Sequence, residues 1–264
     1  DGKVYLRPMA TYTSSNSSYK EALLSYDIAS GQWSQTEVFS LPHWHGRGSM
    51  EVQDSFVFQG KIYWIAASES DTDFILSYDP KTGDYGQFMQ LPPDYYQPFT
   101  YKSAVLDGKV YLLRSGTRSS FGKDYTVANG FYELDMLTKK LLPMTWVSDK
   151  VDRDWISYNA HVAGFLDPLL CAFKGKLYAY GGKVKYPNVD RHSTLFAVYD
   201  PTQNRWDPVS GYSYYTARVS QTDAFMLTMG DKLYLGHGVT GFSYNYNSGS
   251  YGETNANIYT LSVK

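Results

Sequence analysis

The chain reads as an all-β protein built from repeated antiparallel units of four strands. Three observations lead there. Short apolar runs of strand length recur along the whole chain between turn residues. A Lys-apolar-Tyr motif, always entered from Gly or Asp, appears at Lys3-Val-Tyr5, Lys61-Ile-Tyr63, Lys109-Val-Tyr111, Lys176-Leu-Tyr178 and Lys232-Leu-Tyr234. A second motif follows each of the first four, in a constant order but at a variable distance.

Spacings of 58, 48, 67 and 56 residues between the motif tyrosines define repeats in series. Each Lys-apolar-Tyr motif is a tight turn followed by a strand. A further apolar run precedes most of them, at Ser55-Phe-Val-Phe58, Ser103-Ala-Val-Leu106, Leu169-Leu-Cys-Ala-Phe173 and Ala224-Phe-Met-Leu227. These runs are the first strand of a unit, and the motif opens the second.

The second motif supplies the other two strands. It reads Ser25-Tyr-Asp-Ile28, Ser77-Tyr-Asp-Pro80, Glu133-Leu-Asp-Met136 and Val198-Tyr-Asp-Pro201. Each copy ends a third strand and leads into a polar turn. An aromatic then opens a fourth strand: Trp33, Tyr85 and Trp206, with Trp146 the nearest candidate in the third unit. The fifth unit has only Asn257-Ile-Tyr-Thr-Leu261 before the chain stops.

The pattern resembles the kelch repeat of β-propellers, within the wider galactose-oxidase-like group. It is closest in the fourth unit, where Gly181-Gly182, Tyr199-Asp200 and Trp206 all match. The double-glycine position departs from the family elsewhere, reading Arg7-Pro8, Ala66-Ala67, Ser115-Gly116 and His237-Gly238. The resemblance implies one propeller domain over 1–264, with units at 1–40, 49–92, 101–147, 166–209 and 221–264. It also implies that the Tyr and Trp fill the space between neighbouring sheets and that the Tyr hydroxyl finds a partner at their edge. The first unit lacks its first strand and the fifth its fourth, so either the ring closes irregularly or, as is expected, flanking sequence completes it. The chain is accordingly expected to be part of a longer one.

In an up-and-down sheet, alternate connections leave opposite ends. The first-to-second turns (Gln59-Gly60, Asp107-Gly108, Lys174-Gly175, Gly230-Asp231) and the third-to-fourth turns are short. The remaining connections are long and rich in Tyr, Trp, His, Arg, Ser and Asn. Long loops on a rigid scaffold are where function usually sits. The expected binding residues on that face are Trp44, Tyr95, Tyr96, Trp155, Tyr214 and Tyr244 as aromatic contacts, and Arg47, Arg118, Arg191 and Arg218 as polar anchors. Arginine and aromatics dominate interface hot spots.

Several chemistries are set aside. A formal net charge of −2 gives no electrostatic basis for nucleic-acid binding. No apolar run approaches the roughly 18–20 residues of a membrane span. The single Cys171 excludes an internal disulfide and reads as an inert thiol in an apolar strand. His43-Trp-His45 has the spacing of a weak metal pair, but no neighbouring ligand completes it. Neither Glu69/Asp71/Asp73 nor Asp152/Asp154 forms a calcium loop. Neither the copper–tyrosyl-radical site of galactose oxidase nor the catalytic residues of bacterial sialic-acid mutarotases can be placed on this chain. No catalytic residue and no cofactor is therefore assigned.

The leading expectation is a non-enzymatic module that recognises a protein, peptide or glycan on its long-loop face. The rivals are a carbohydrate-active lyase, epimerase or metal oxidase on the same face, and a structural scaffold in a larger protein. Composition points to an extracellular or cell-surface setting, with a cytoplasmic adaptor as the alternative. Asn16-Ser-Ser18 fits an N-glycosylation acceptor.

Overall fold

The computed structural model describes residues 2–12, 19–40, 51–67, 73–92, 100–115, 117–120, 124–127, 130–145, 165–166, 168–181, 183–186, 189–192, 196–209, 225–236, 239–245, 249–254 and 258–261. Every regular element among them is a strand. The chain divides into two compact units, Asp1–Pro98 and Phe99–Lys264.

The first unit holds two antiparallel sheets. One is β1 (Lys3–Tyr12), β2 (Tyr19–Asp27) and β3 (Gln32–Ser40), in that order. The other is β4 (Glu51–Phe58), β5 (Lys61–Ala67), β6 (Asp73–Tyr78) and β7 (Tyr85–Gln90), also in sequence order. These are the strands the two motifs predict, and the β1–β2–β3 sheet begins at the second strand of the repeat.

The second unit holds three more repeat sheets. In the first, β8 (Thr100–Leu106), β9 (Lys109–Ser115), β12 (Gly130–Asp135) and β13 (Lys140–Met144) lie side by side. In the next, β15 (Leu169–Phe173), β16 (Lys176–Tyr180), β19 (Phe196–Asp200) and β20 (Arg205–Pro208) do the same. The last has β21 (Phe225–Met229), β22 (Lys232–Gly236) and β25 (Ile258–Leu261), with no fourth strand beside β25 among the described residues.

The turn chemistry follows from the sequence. Gln59-Gly60, Asp107-Gly108 and Lys174-Gly175 place both residues at positive φ, the two-residue turn whose twist matches that of the strands it joins. The third-to-fourth turns are pinned by the motif aspartates, whose Oδ1 accepts from Ser30 N (2.8 Å, Asp27), Lys81 N (2.9 Å, Asp79), Leu137 N (2.9 Å, Asp135) and Thr202 N (2.9 Å, Asp200). Such donors favour the carboxylate and hold all four aspartates below their ordinary pKa. The leading donor is a backbone N–H for Asp27, Asp79 and Asp135, and the Thr202 hydroxyl for Asp200.

The two motifs also meet in space. Lys61 pairs with Asp79 at 3.3 Å, Lys176 with Asp200 at 3.3 Å, and Lys109 with Glu133 at 2.9 Å. The lysine that opens these three second strands thus lies across from an acid at or near the end of the third, with Glu133 two residues before the turn aspartate Asp135. These pairs are half exposed and add little stability individually. They explain the recurrence of Lys without giving it a functional role.

Packing between sheets is where the aromatics act. In the second unit, Ala104, Leu106, Tyr111, Leu113 and Phe131 of one sheet bury against Leu177, Ala179, Ala197, Tyr199 and Trp206 of the next. Phe131 meets Tyr199 and Trp206 edge-on, at centroid distances of 4.8 and 5.1 Å. The Tyr199 hydroxyl donates to Asn204 Oδ1 at 2.9 Å, which also accepts from Thr145 N at 3.1 Å. Trp206 Nε1 donates to the Thr145 carbonyl at 3.0 Å. This clasp joins the edges of the two sheets, as expected of the Tyr and Trp. In the first unit, Leu23 and Tyr5 play the matching part against Ile62, Trp64, Leu76 and Tyr78.

One expectation changes. In the third unit, register pairs Leu134 with Leu141 where the other units pair Tyr26 with Trp33, Tyr78 with Tyr85 and Tyr199 with Trp206. Leu141 therefore holds the place assigned to Trp146, which lies outside the described residues. Gly181 is needed for its own backbone, at φ +76°, where β16 gives way to the next segment.

Candidate functional site

Within each sheet, the first-to-second and third-to-fourth turns close one end. The second-to-third connection leaves the other end, and in four of the five sheets it is paired, while residues 68–72 of the β4–β5–β6–β7 sheet lie outside the described residues. In the β1–β2–β3 sheet, β1 and β2 run on past a register shift at Leu6/Met9 until Tyr12 pairs with Tyr19. In the second unit, three such connections form ribbons: β10 (Thr117–Ser120) with β11 (Asp124–Val127), β17 (Lys183–Tyr186) with β18 (Val189–His192), and β23 (Val239–Asn245) with β24 (Gly249–Thr254). A short strand, β14 (Phe165–Leu166), adds to β17 from the connection between two sheets.

For these second-to-third connections long loops were the expectation and β-ribbons are the finding; most of the connections between sheets lie outside the described residues. The physical reason is that a connection leaving two adjacent paired strands inherits their register and can continue the ladder, so its backbone groups stay satisfied. Turn-prone residues between the ribbon strands were the available signal: Phe121-Gly-Lys123, Pro187-Asn188 and Asn247-Ser-Gly249.

Three of the expected binding residues lie on these ribbons. Arg118 pairs with Thr126, Arg191 with Val184, and Tyr244 with Ser250. Arg191 also shares a row with Phe165, through Val184. Trp44, Arg47, Tyr95, Tyr96, Trp155, Tyr214 and Arg218 lie outside the described residues, as do His43, His45 and Asn16-Ser-Ser18.

At the root of the β10–β11 ribbon the structure adds residues that sequence reading passed over. Arg114, near the end of β9, pairs with Tyr101 on one side and Gly130 on the other. Its guanidinium lies over the Tyr132 ring, 5.3 Å from the centroid. The Tyr132 ring occupies the space beside Gly130, where an added Cβ would come within 2.6 Å of ring carbons. A glycine is therefore required there for a close approach. On the adjoining row of the same strands, facing the other side of the sheet, the Thr100 and Ser115 hydroxyls are 2.6 Å apart. Both Arg114 and Tyr132 are half-buried. The result is a flat cation held on an aromatic, four residues before Arg118 and at the same end of the sheet.

Such an arrangement presents fixed donors and a π-face, which suits recognition of carboxylates and other planar polar groups. It contains no nucleophile with an adjacent base. Among the described residues, no group of three or more His, Cys, Asp or Glu is placed to hold a metal. Cys171 is half-buried, and desolvation pushes its thiol up to about 11, which makes it a poor nucleophile.

Comparison with known proteins places this geometry. The profile of the F-box associated beta propeller domain matches residues 5–119, fewer than half of the 264. No curated protein matches. Among solved structures, the chain is similar over its whole length to one described as YjhT, with a TM-score of 0.61, 14% identity and 79% of that chain covered. It is also similar to the phage phi92 endosialidase, with a TM-score of 0.56 and 10% identity, but spans only 53% of that chain. At these identities the likeness concerns the fold. Together with the antiparallel sheets, it identifies the chain as a β-propeller module.

Proposed function

We propose that this β-propeller is a recognition module that binds a polar, carboxylate-bearing protein epitope at the ribbon end of its sheets. The observation that carries the reading is the contrast between the two ends of each sheet. Tight turns closed by aspartates occupy one end. The other carries ribbons with Arg118, Arg191 and Tyr244, the first of them rooted on the Arg114–Tyr132 stack. A guanidinium already ordered over a ring loses less freedom on binding than a free one, so it anchors a partner at lower cost. A single propeller of kelch type with five repeat units, carrying the remaining expected contacts on the same end, completes the proposal. The F-box association named by the matching profile supports a protein ligand over a glycan.

The test begins with peptide and glycan arrays to obtain a ligand. Arg114→Ala and Arg118→Ala are then compared with Lys81→Ala and Thr202→Ala at the tight-turn end, all checked for unchanged circular dichroism. Ribbon-end substitutions should weaken binding by about tenfold or more, as hot-spot residues do. Tight-turn substitutions should leave it unchanged. Equal losses at both ends would reject the assignment.

A further inference from the structure

At the ribbon end of the β8–β9–β12–β13 sheet, one row departs from the same row of the other four-stranded sheets. Five residues after the motif lysine, β5 places Ala66 opposite Phe74 of β6, and both are buried. The residue at that place after Lys176 is Gly181, also buried. The repeat thus keeps the second-strand side small. After Lys109 the place belongs to Arg114, and the small residue stands opposite it as Gly130. Large and small have changed sides.

A second departure lies two residues on. Tyr132 shares a face with Gly130, because alternate residues of a strand point the same way. Its counterpart in β6 is Leu76, which is buried in the core of the first unit. The Tyr132 ring lies back over Gly130, where an added Cβ would come within 2.6 Å of ring carbons. From there it reaches the row of Arg114, whose guanidinium is 5.3 Å from the ring centroid. An aromatic laid over a strand glycine fills the place of the missing side chain. Here that aromatic is also the platform for a cation. The backbone of Gly130 makes no demand of its own, since its φ is not positive. The ring alone requires the glycine. Places where a chain breaks its own local rule are where function is expected.

We propose that Gly130 is the positioning residue of the ribbon-end site, a role that rests on reading Arg114 as a carboxylate anchor. Gly130 touches no ligand. It leaves room for the Tyr132 ring, and the ring holds the Arg114 guanidinium in the pose that accepts a carboxylate. A side chain at 130 turns the ring away and releases the cation, so the anchor then has to be ordered again on binding.

NMR reads the position of the cation without any ligand. The Tyr132 ring current should shift the Arg114 side-chain signals upfield. Gly130→Ala should remove that shift, and Tyr132→Phe should keep it. Acetate serves as the carboxylate probe, followed through the backbone amide signal of Ser115. It should bind Gly130→Ala at least about tenfold more weakly, as it should Arg114→Ala. In a Tyr132→Ala background, Gly130→Ala should change acetate affinity no further, because the ring it displaces is gone. That double variant has no clash, so it decides the matter even where Gly130→Ala alone fails to fold. An Arg114 shift that survives Gly130→Ala would overturn the proposal. So would a further loss of acetate affinity in the Tyr132→Ala background. Acetate affinity unchanged by Arg114→Ala would instead reject the carboxylate reading, and the Arg114 shift would still decide whether Gly130 positions the cation.

Discussion

Trp33 and Trp206 hold the same place in two copies of one repeat, each opposite a tyrosine at the start of an outer strand. Tyr26 and Trp33 touch at a centroid distance of 5.0 Å, Tyr199 and Trp206 at 5.2 Å. Their surroundings differ in every other respect. Trp206 is enclosed by Phe131, Tyr111 and Leu113 of the neighbouring sheet and bonded to its edge, whereas Trp33 is largely in solvent. The local motif builds the tyrosine–tryptophan pair. That pair becomes core only where a second sheet packs over it.

The largest effect expected from this contrast is on stability. Trp206→Ala should lose about 3–5 kcal/mol, because the cavity it leaves is lined by a second sheet that cannot collapse into it. Trp33→Ala should lose less than about 1 kcal/mol in dilute protein. Urea midpoints of the two variants check this, and similar losses would erase the distinction.

Next is the clasp. Asn204→Ala removes the acceptor shared by the Tyr199 hydroxyl and Thr145 N, and it places Ala at a φ of +47°. It should cost about 2–3 kcal/mol. Tyr199→Phe keeps the ring and removes only one donor, so about 1 kcal/mol is expected. The same urea series measures both, and a reversed order would mean that the ring and not the clasp joins the sheets.

Alkaline titration sharpens the comparison further. Burial raises the Tyr199 phenol from its ordinary value near 10 to about 12, with the negative charge of Glu133 among the lesser causes. A raised folded-state pKa means its stabilisation is complete below pH 10 and is lost as pH rises from 10 through 12. Tyr199→Phe should flatten that alkaline limb when melting temperature is followed against pH.

The smallest effect belongs to the tight-turn end. Asp27, Asp79, Asp135 and Asp200 are all held below their ordinary pKa by turn donors. Their contribution is present above an unfolded value near about 4 and fades as pH falls through the folded one. Asp79→Asn should therefore lower stability slightly near neutrality, with the deficit vanishing as pH falls through the folded pKa, so that the acid limb becomes shallower. A loss that persists undiminished at acid pH would contradict the turn role.

Much of this scaffold could be read from the residues. Lys-apolar-Tyr placed the second strands, the Tyr-Asp turns placed the third and fourth, and counting anticipated the three strands that each terminal sheet holds among the described residues. These are local signals, fixed by turn chemistry and alternation within a few residues. The site was legible only in outline. Arg118, Arg191 and Tyr244 lie at the end opposite the tight turns, and their segments form ribbons. Ribbon pairing depends on register inherited from strands far apart in sequence, which composition does not carry. Arg114 and Tyr132 were missed because each looks like an ordinary strand residue until register brings Gly130 beside them.

By itself, the sequence determined the repeat, its turns and the pairing of each Tyr with its outer-strand aromatic, because hairpin register propagates from one turn to the next. Only the tertiary structure decided which copies of that pair are buried. The same row is core in the β15–β16–β19–β20 sheet and surface in the β1–β2–β3 sheet, since burial is a property of the neighbour that excludes water and not of the strand that carries the side chain.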